Sequence, residues 1–128
     1  MDIFCTGCNA EVKARLVEAK EIYGRTYPGK FWICDCGAYV GTHYKTKNPT
    51  KPLGVLSTAE IRKAKIHIHA LIDPLWKRGY IKRGALYKKI SKAVGNEYHT
   101  GEIRSIEEAR RIYREARRIA REIYNRPV

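Results

Sequence analysis

Apolar residues recur with two different periods along the chain, and the change of period divides it. From Ile61 onward they return at three- and four-residue steps, as Ile61, Ala64, Ile68, Ile72 and Leu75, the spacing of one buried helix stripe. Ser57-Thr58-Ala59-Glu60 reads as a capping box in front of that stripe, with Ser57 capping the first turn and Glu60 reaching back to it. Asp73-Pro74 has the order of a cap followed by a first-turn proline, so a kink or restart is predicted there, with Trp76 buried at the corner. A second helix is predicted over residues 83–94, with Leu86, Ile90, Ala93 and Val94 inward and Gly95 as its left-handed stop. Ser105-Ile106-Glu107-Glu108 is another capping box and opens a last helix to about Tyr124. Ala109, Ile112, Ala116, Ile119, Ala120 and Ile123 share one side of it.

Before residue 57 the pattern is shorter and closer to alternation. Residues 12–19, 30–34 and 38–42 read as strands, separated by turn signals at Tyr23-Gly24-Arg25 and Tyr27-Pro28-Gly29-Lys30. They predict a small antiparallel sheet. Residues 44–52 carry Lys, Thr, Asn and Pro with nothing to bury, as expected of a basic loop or linker that orders on a partner. The chain therefore reads as α+β, with residues 1–56 a sheet-bearing part and residues 57–128 a helical part, the boundary lying near residues 54–57. At 128 residues, without internal repeats, it excludes a large multidomain enzyme.

Four cysteines fall entirely in the first part, as Cys5-Thr6-Gly7-Cys8 and Cys34-Asp35-Cys36-Gly37. Two close pairs flanking a hairpin are the layout of a zinc ribbon, in which four thiolates surround a tetrahedral ion at about 2.3 Å. Such a site is closed and structural, because catalytic zinc keeps a position open for water. A single iron in the same cage and a reversible disulfide pair are the alternatives. The second pair has a one-residue spacer, tighter than usual, which leaves His43 as the nearest substitute ligand.

These residues, with Glu21-Ile22-Tyr23-Gly24-Arg25, Ala38-Tyr39-Val40-Gly41-Thr42-His43, Pro52-Leu53-Gly54 and Asp73-Pro74-Leu75-Trp76, carry a resemblance. The sequence resembles a phage- and prophage-encoded zinc-finger-containing family, with a weaker echo at His99-Thr100-Gly101. The resemblance implies a zinc ribbon with a helical extension that serves a virus in its host. It supplies no catalytic residues. The short Cys34–Cys36 spacer departs from the family's longer one.

Charge sharpens the picture. Residues 1–56 carry eight basic and five acidic side chains, residues 57–128 eighteen and eight, within a total of +13. Such an excess makes polyanions the leading partner class. On the last helix Arg110, Arg111, Arg114, Arg117, Arg118 and Arg121 gather opposite the apolar side, and Glu108, Glu115 and Glu122 along one border can hold only some of them. Lys77, Arg78, Lys82, Arg83, Lys88, Lys89 and Lys92 form a second cluster, and Lys45, Lys47 and Lys51 a third. The expected function is nucleic-acid binding, with Arg110, Arg114, Arg117, Arg118, Arg121 and the three loop lysines on phosphates. Tyr23, Tyr27, Trp32, Tyr39 and Tyr44 are candidate stacking platforms, although Trp32 reads first as a sheet-packing residue. Residues 96–104 are too long for the turn of a helix-turn-helix, which disfavours sequence-specific duplex reading.

Other classes remain as alternatives: a small viral protein docked on a host polymerase, nuclease or defence complex, or a self-associating accessory of replication or packaging. Catalysis is disfavoured. His67 and His69, two apart on a helix, point about 200° from one another and cannot share a metal. With Glu60, Asp73, Glu97 and Glu102 as possible acids, His99 beside Gly101 and Glu102 in an irregular loop is the more attractive candidate for a nuclease site. No apolar run has the length of a membrane span or signal peptide, so a cytoplasmic protein, in the host cytoplasm if viral, is expected.

Overall fold

The structure, a computed structural model, describes residues 1–125. It is α+β, with short antiparallel strands around the cysteines followed by helices. The chain divides into two compact units, Met1–Ile61 and a second from Arg62 onward.

In the first unit β1 (Asp2–Cys5) pairs antiparallel with β2 (Ala10–Lys13), and β3 (Arg15–Glu18), β4 (Lys30–Ile33) and β5 (Tyr39–Gly41) make a second antiparallel sheet. The single strand expected over residues 12–19 is thus two strands in different sheets. Ala14 is the corner: it is buried, and its N–H bonds to the carbonyl of Met1, not to a sheet neighbour. Alternation continues across such a corner, so the pattern alone did not reveal it. β1 was not anticipated, and the turn signal at Tyr23-Gly24 is the end of a short helix α1 (Ala19–Tyr23), stopped by Gly24 in the left-handed conformation.

Residues 52–57 stitch the two sheets together. Leu56 bridges Cys5 and Ser57 bridges Tyr39, while the Leu56 N–H donates to the carbonyl of Phe4. Leu56 is fully buried, in a core with Ile3, Cys5, Ala14, Cys34 and Ala38, against which Val12, Trp32 and Val40 pack. The segment before it, expected as a basic loop or linker that orders on a partner, is a loop closed by its own hydrogen bonds. His43 donates its N–H to Lys51, Pro52 bridges Thr42, and Trp32 Nε1 donates to the Thr50 carbonyl at 2.7 Å. Backbone and indole hydrogen bonds order this loop, and the Tyr44 ring lies over Gly29.

Helix α2 (Ala59–Lys77) begins one residue later than the capping box suggested. Ser57 is buried and donates its hydroxyl to Val55, so Thr58 caps instead, its Oγ1 accepting from the Ile61 N–H at 3.4 Å. The helix does not restart at Pro74, which stands inside it. Asp73 is consequently no cap: its carboxylate accepts from Trp76 Nε1 at 3.2 Å and meets His69 Nδ1. Trp76 is half-buried, packed against the helical core.

Helices α3 (Arg83–Val94) and α4 (Ile106–Tyr124) follow their sequence patterns closely. Gly95 stops α3 at φ 85°. Ser105 caps α4 by accepting from the Glu108 N–H, and Glu108 returns the favour to the Arg104 N–H. Ile68, Ile72 and Leu75 of α2, Leu86, Ile90 and Val94 of α3, and the six predicted residues of α4 form one core, closed by Tyr98 and Ile103. No helix among the described residues is long and apolar enough to cross a membrane.

Candidate metal centre and basic surfaces

The β1–β2 hairpin turns through Thr6-Gly7-Cys8-Asn9, and β4–β5 through Cys34-Asp35-Cys36-Gly37, so each cysteine pair occupies the tip of a hairpin. Gly7 is favoured by close approach: a Cβ there would lie 3.1 Å from Cys36 Sγ and from the Thr58 methyl, tight enough that either would have to give by a few tenths of an ångström. Gly37 is required by its backbone, at φ 99°. The Thr58 N–H donates to Thr6 Oγ1 at 3.0 Å, tying the first turn to the start of α2.

The four sulfur atoms lie within 4.8 Å of one another, with Cys5 and Cys36 3.5 Å apart and Cys8 and Cys34 3.8 Å apart. Those separations match the edge of a tetrahedron of thiolates around zinc, about 3.8 Å for a bond of about 2.3 Å. Both members of the short-spaced pair contribute, and His43 is not in the cluster. The thiols also act on one another. Cys8 is pushed up to about 12 by its hydrogen bond to Cys34 and then those to Cys36 and Cys5. Burial raises Cys5, against the backbone N–H groups of Cys8 and Gly7, while the Ala38 N–H lowers Cys36. Four such groups ionise together only around a cation, and backbone N–H groups aimed at sulfur supply the supporting hydrogen bonds. The cage fits one structural zinc ion, held by Cys5, Cys8, Cys34 and Cys36.

On α4 all six arginines of the stripe are exposed. Arg118 is held by Glu115 at 2.9 Å and Glu122 at 2.8 Å, which raise its already high pKa. Among the described residues no ion pair holds Arg110, Arg111, Arg114, Arg117 or Arg121. Lys45, Lys47 and Lys51 are exposed on the closed loop of the first unit. Of the stacking candidates, Tyr23 is the hub of an edge-to-face cluster with Tyr27, Phe31 and Tyr39 at 5.3, 5.6 and 5.8 Å. Arg25 lies 4.9 Å from the Tyr27 ring and Lys45 5.6 Å from that of Tyr44.

His67 is exposed and His69 is turned to Asp73, so the two do not converge. His99 is exposed and paired with Glu97 at 3.2 Å; it shares a small cleft with Glu102. The four cysteines are the sole metal-compatible group found among the described residues.

Lys65 went unremarked in the sequence. It is half-buried and donates to the Gly101 carbonyl at 3.2 Å; burial, countered in part by Glu102, pushes it down to about 8. Its position, four residues after Ile61 and three before Ile68 on the inward stripe, was the available signal.

A family model described as a zinc-finger-containing domain matches residues 1–122. No curated protein matches the chain, and no solved structure does.

Proposed function

The chain belongs to the family of zinc-finger-containing domains, and from that premise we propose that it binds nucleic acid, with zinc holding the ribbon in shape and arginines making the phosphate contacts. The observation that supports this most is the set of exposed arginines on α4 that no carboxylate among the described residues holds in an ion pair, Arg110, Arg114, Arg117 and Arg121 foremost. An arginine paired to glutamate serves the helix, as Arg118 does; an unpaired row of planar, permanently charged forks suits the phosphates of a backbone. Lys45, Lys47 and Lys51 extend the same chemistry to the first unit. The closed cysteine cage leaves no position for a reacting water, so the proposed activity is binding without turnover.

The test is binding of the zinc-loaded chain to labelled single- and double-stranded DNA and RNA across a salt series, with probe integrity checked afterward. Replacing Arg114, Arg117 and Arg121 together by Ala should weaken binding and lower the salt slope by about 2–3, close to one per lost phosphate contact. Arg118→Ala should change both far less. Unchanged affinity in the folded triple variant overturns the arginine reading. No binding by the wild type at physiological salt overturns the nucleic-acid reading and makes the stripe a protein-docking face. Cleaved probe overturns binding without turnover and directs attention to His99 and Glu102.

A further inference from the structure

The two basic helices differ in kind. Helix α4 mixes its six arginines with Glu107, Glu108, Glu115 and Glu122, whereas α3 carries Arg83, Lys88, Lys89 and Lys92 and no acid at all. Lys88 and Lys92 stand one turn apart, a like-charged pair that opposes the helix. Among the described residues no carboxylate forms an ion pair with any of the four. A helix that needed only solubility would intersperse both signs.

The outer face of α3 is also concave. At 100° per residue, Gly84, Ser91 and Gly95 fall in one narrow strip, with Tyr87 along one side and Lys88 and Lys92 along the other. This strip is the floor of a groove of about 610 Å³ whose far wall is formed by residues 96–99. The groove is built firmly. Ser91 donates its hydroxyl to the Tyr87 carbonyl at 2.8 Å and accepts from the Tyr98 N–H at 2.9 Å, which fixes the far wall to the helix. Tyr98 is buried and bonded to Thr100, and its ring lies 5.2 Å from that of Tyr87. Arg83 sits 4.5 Å from the Tyr87 centroid, so an aromatic surface and a guanidinium share one flank.

We propose that this groove holds a single nucleic-acid strand, its phosphates on Lys88 and Lys92 and an unpaired base against the Tyr87 flank. The proposal rests on the nucleic-acid reading above and gives it a second contact surface and a strand form. A duplex is read by an element that protrudes into its groove, whereas an open, shallow groove with bare glycine and serine on its floor admits one strand lying along it. The complementarity is of charge and shape together: Lys88 and Lys92 along one flank, the Tyr87 ring with Arg83 against it along the other, and on the far wall a Glu97 carboxylate that is turned to His99.

Gly84 provides the decisive variant. It has helical backbone, and a Cβ there meets nothing within 4 Å. Gly84→Leu therefore projects into the groove while raising helix propensity, so lost binding does not follow from a lost fold. Binding to a fluorescent oligothymidylate and to a hairpin duplex is measured by anisotropy in a salt series, with circular dichroism confirming helix content. Gly84→Leu should weaken single-strand binding about tenfold or more and leave duplex binding unchanged. Lys88→Ala with Lys92→Ala should lower the single-strand salt slope by about 1.4. Wild-type single-strand affinity in Gly84→Leu overturns the groove, and an equal loss for the duplex overturns the assignment to an unpaired strand. The Arg114, Arg117 and Arg121 variant separates this from the reading it rests on. If that variant binds normally while Gly84→Leu does not, the arginine surface falls and the groove stands. The reverse result removes the groove alone.

Discussion

The two units of this chain solve the same problem by different means. The helical unit buries a continuous hydrocarbon core, from Ile68, Ile72 and Leu75 through Leu86 and Ile90 to Ile112 and Ile119. The first unit has two small sheets and a core in which two of the buried residues, Cys5 and Cys34, are themselves metal ligands. Below about 70 residues a hydrophobic core alone seldom suffices, and a structural metal is one of the standard supplements. The lesson is that zinc acts here as a core residue: it joins two hairpin tips that apolar contacts are too few to hold.

The largest effect that can break this comparison is metal removal. Zinc in small metal-dependent domains contributes an apparent ~10–16 kcal/mol at neutral pH, all of it available to folding. Chelation of the full chain, or Cys8→Ser, should unfold the first unit, read as loss of the Trp32 indole N–H resonance, while the helical far-ultraviolet signal persists. A Trp32 environment unchanged after the metal has gone would show that the ribbon does not depend on it.

Leu86→Ala tests the other side. Leu86 is fully buried in the helical core, so its truncation should cost about 2–5 kcal/mol in transfer and cavity terms. The helical unit should melt at lower temperature with zinc content still one per chain. Zinc loss accompanying this substitution would mean that the two units are stabilised together.

The smallest effect sharpens the account of the helical core. Lys65, ordinarily titrating at 10.5, is held at about 8. Below pH 8 it is charged in both folded and unfolded chains, and the folded state bears the cost of burying the charge. Between 8 and 10.5 the folded state has shed its proton while the unfolded chain keeps it, so stability rises with pH across that window. Lys65→Met should therefore raise the melting temperature at pH 7, by about 1 kcal/mol in stability, with the advantage shrinking between pH 8 and 10.5. A difference from wild type that stays constant with pH would place the effect in packing instead of charge.

Legibility followed the same division. In α3 and α4 the periodic apolar residues, the glycine stop and the Ser105 cap were all readable, because a helix draws its hydrogen bonds and its face from residues three and four apart. In the ribbon the cysteines announced themselves, yet the sheets did not. β1 ends in a cysteine that pairs with Ala10 and also bridges Leu56, far away in sequence. The helix start failed by one residue for a related reason: Ser57 has the right chemistry for a cap, but a bridge to Tyr39 claims its backbone and leaves the task to Thr58.

By itself, then, the sequence determined the α+β class, four cysteines as candidate zinc ligands, the buried face of α4 and the excess of basic charge, all properties of local order or composition. Tertiary structure alone decided that both sulfurs of the short-spaced pair enter the cage without His43, and that residues 44–51 close into a loop. It also decided that Lys65 is half-buried and that an open groove runs beside the acid-free face of α3. Each depends on chain segments distant in sequence being brought together, and no periodicity or spacing within one segment encodes what another segment will place against it.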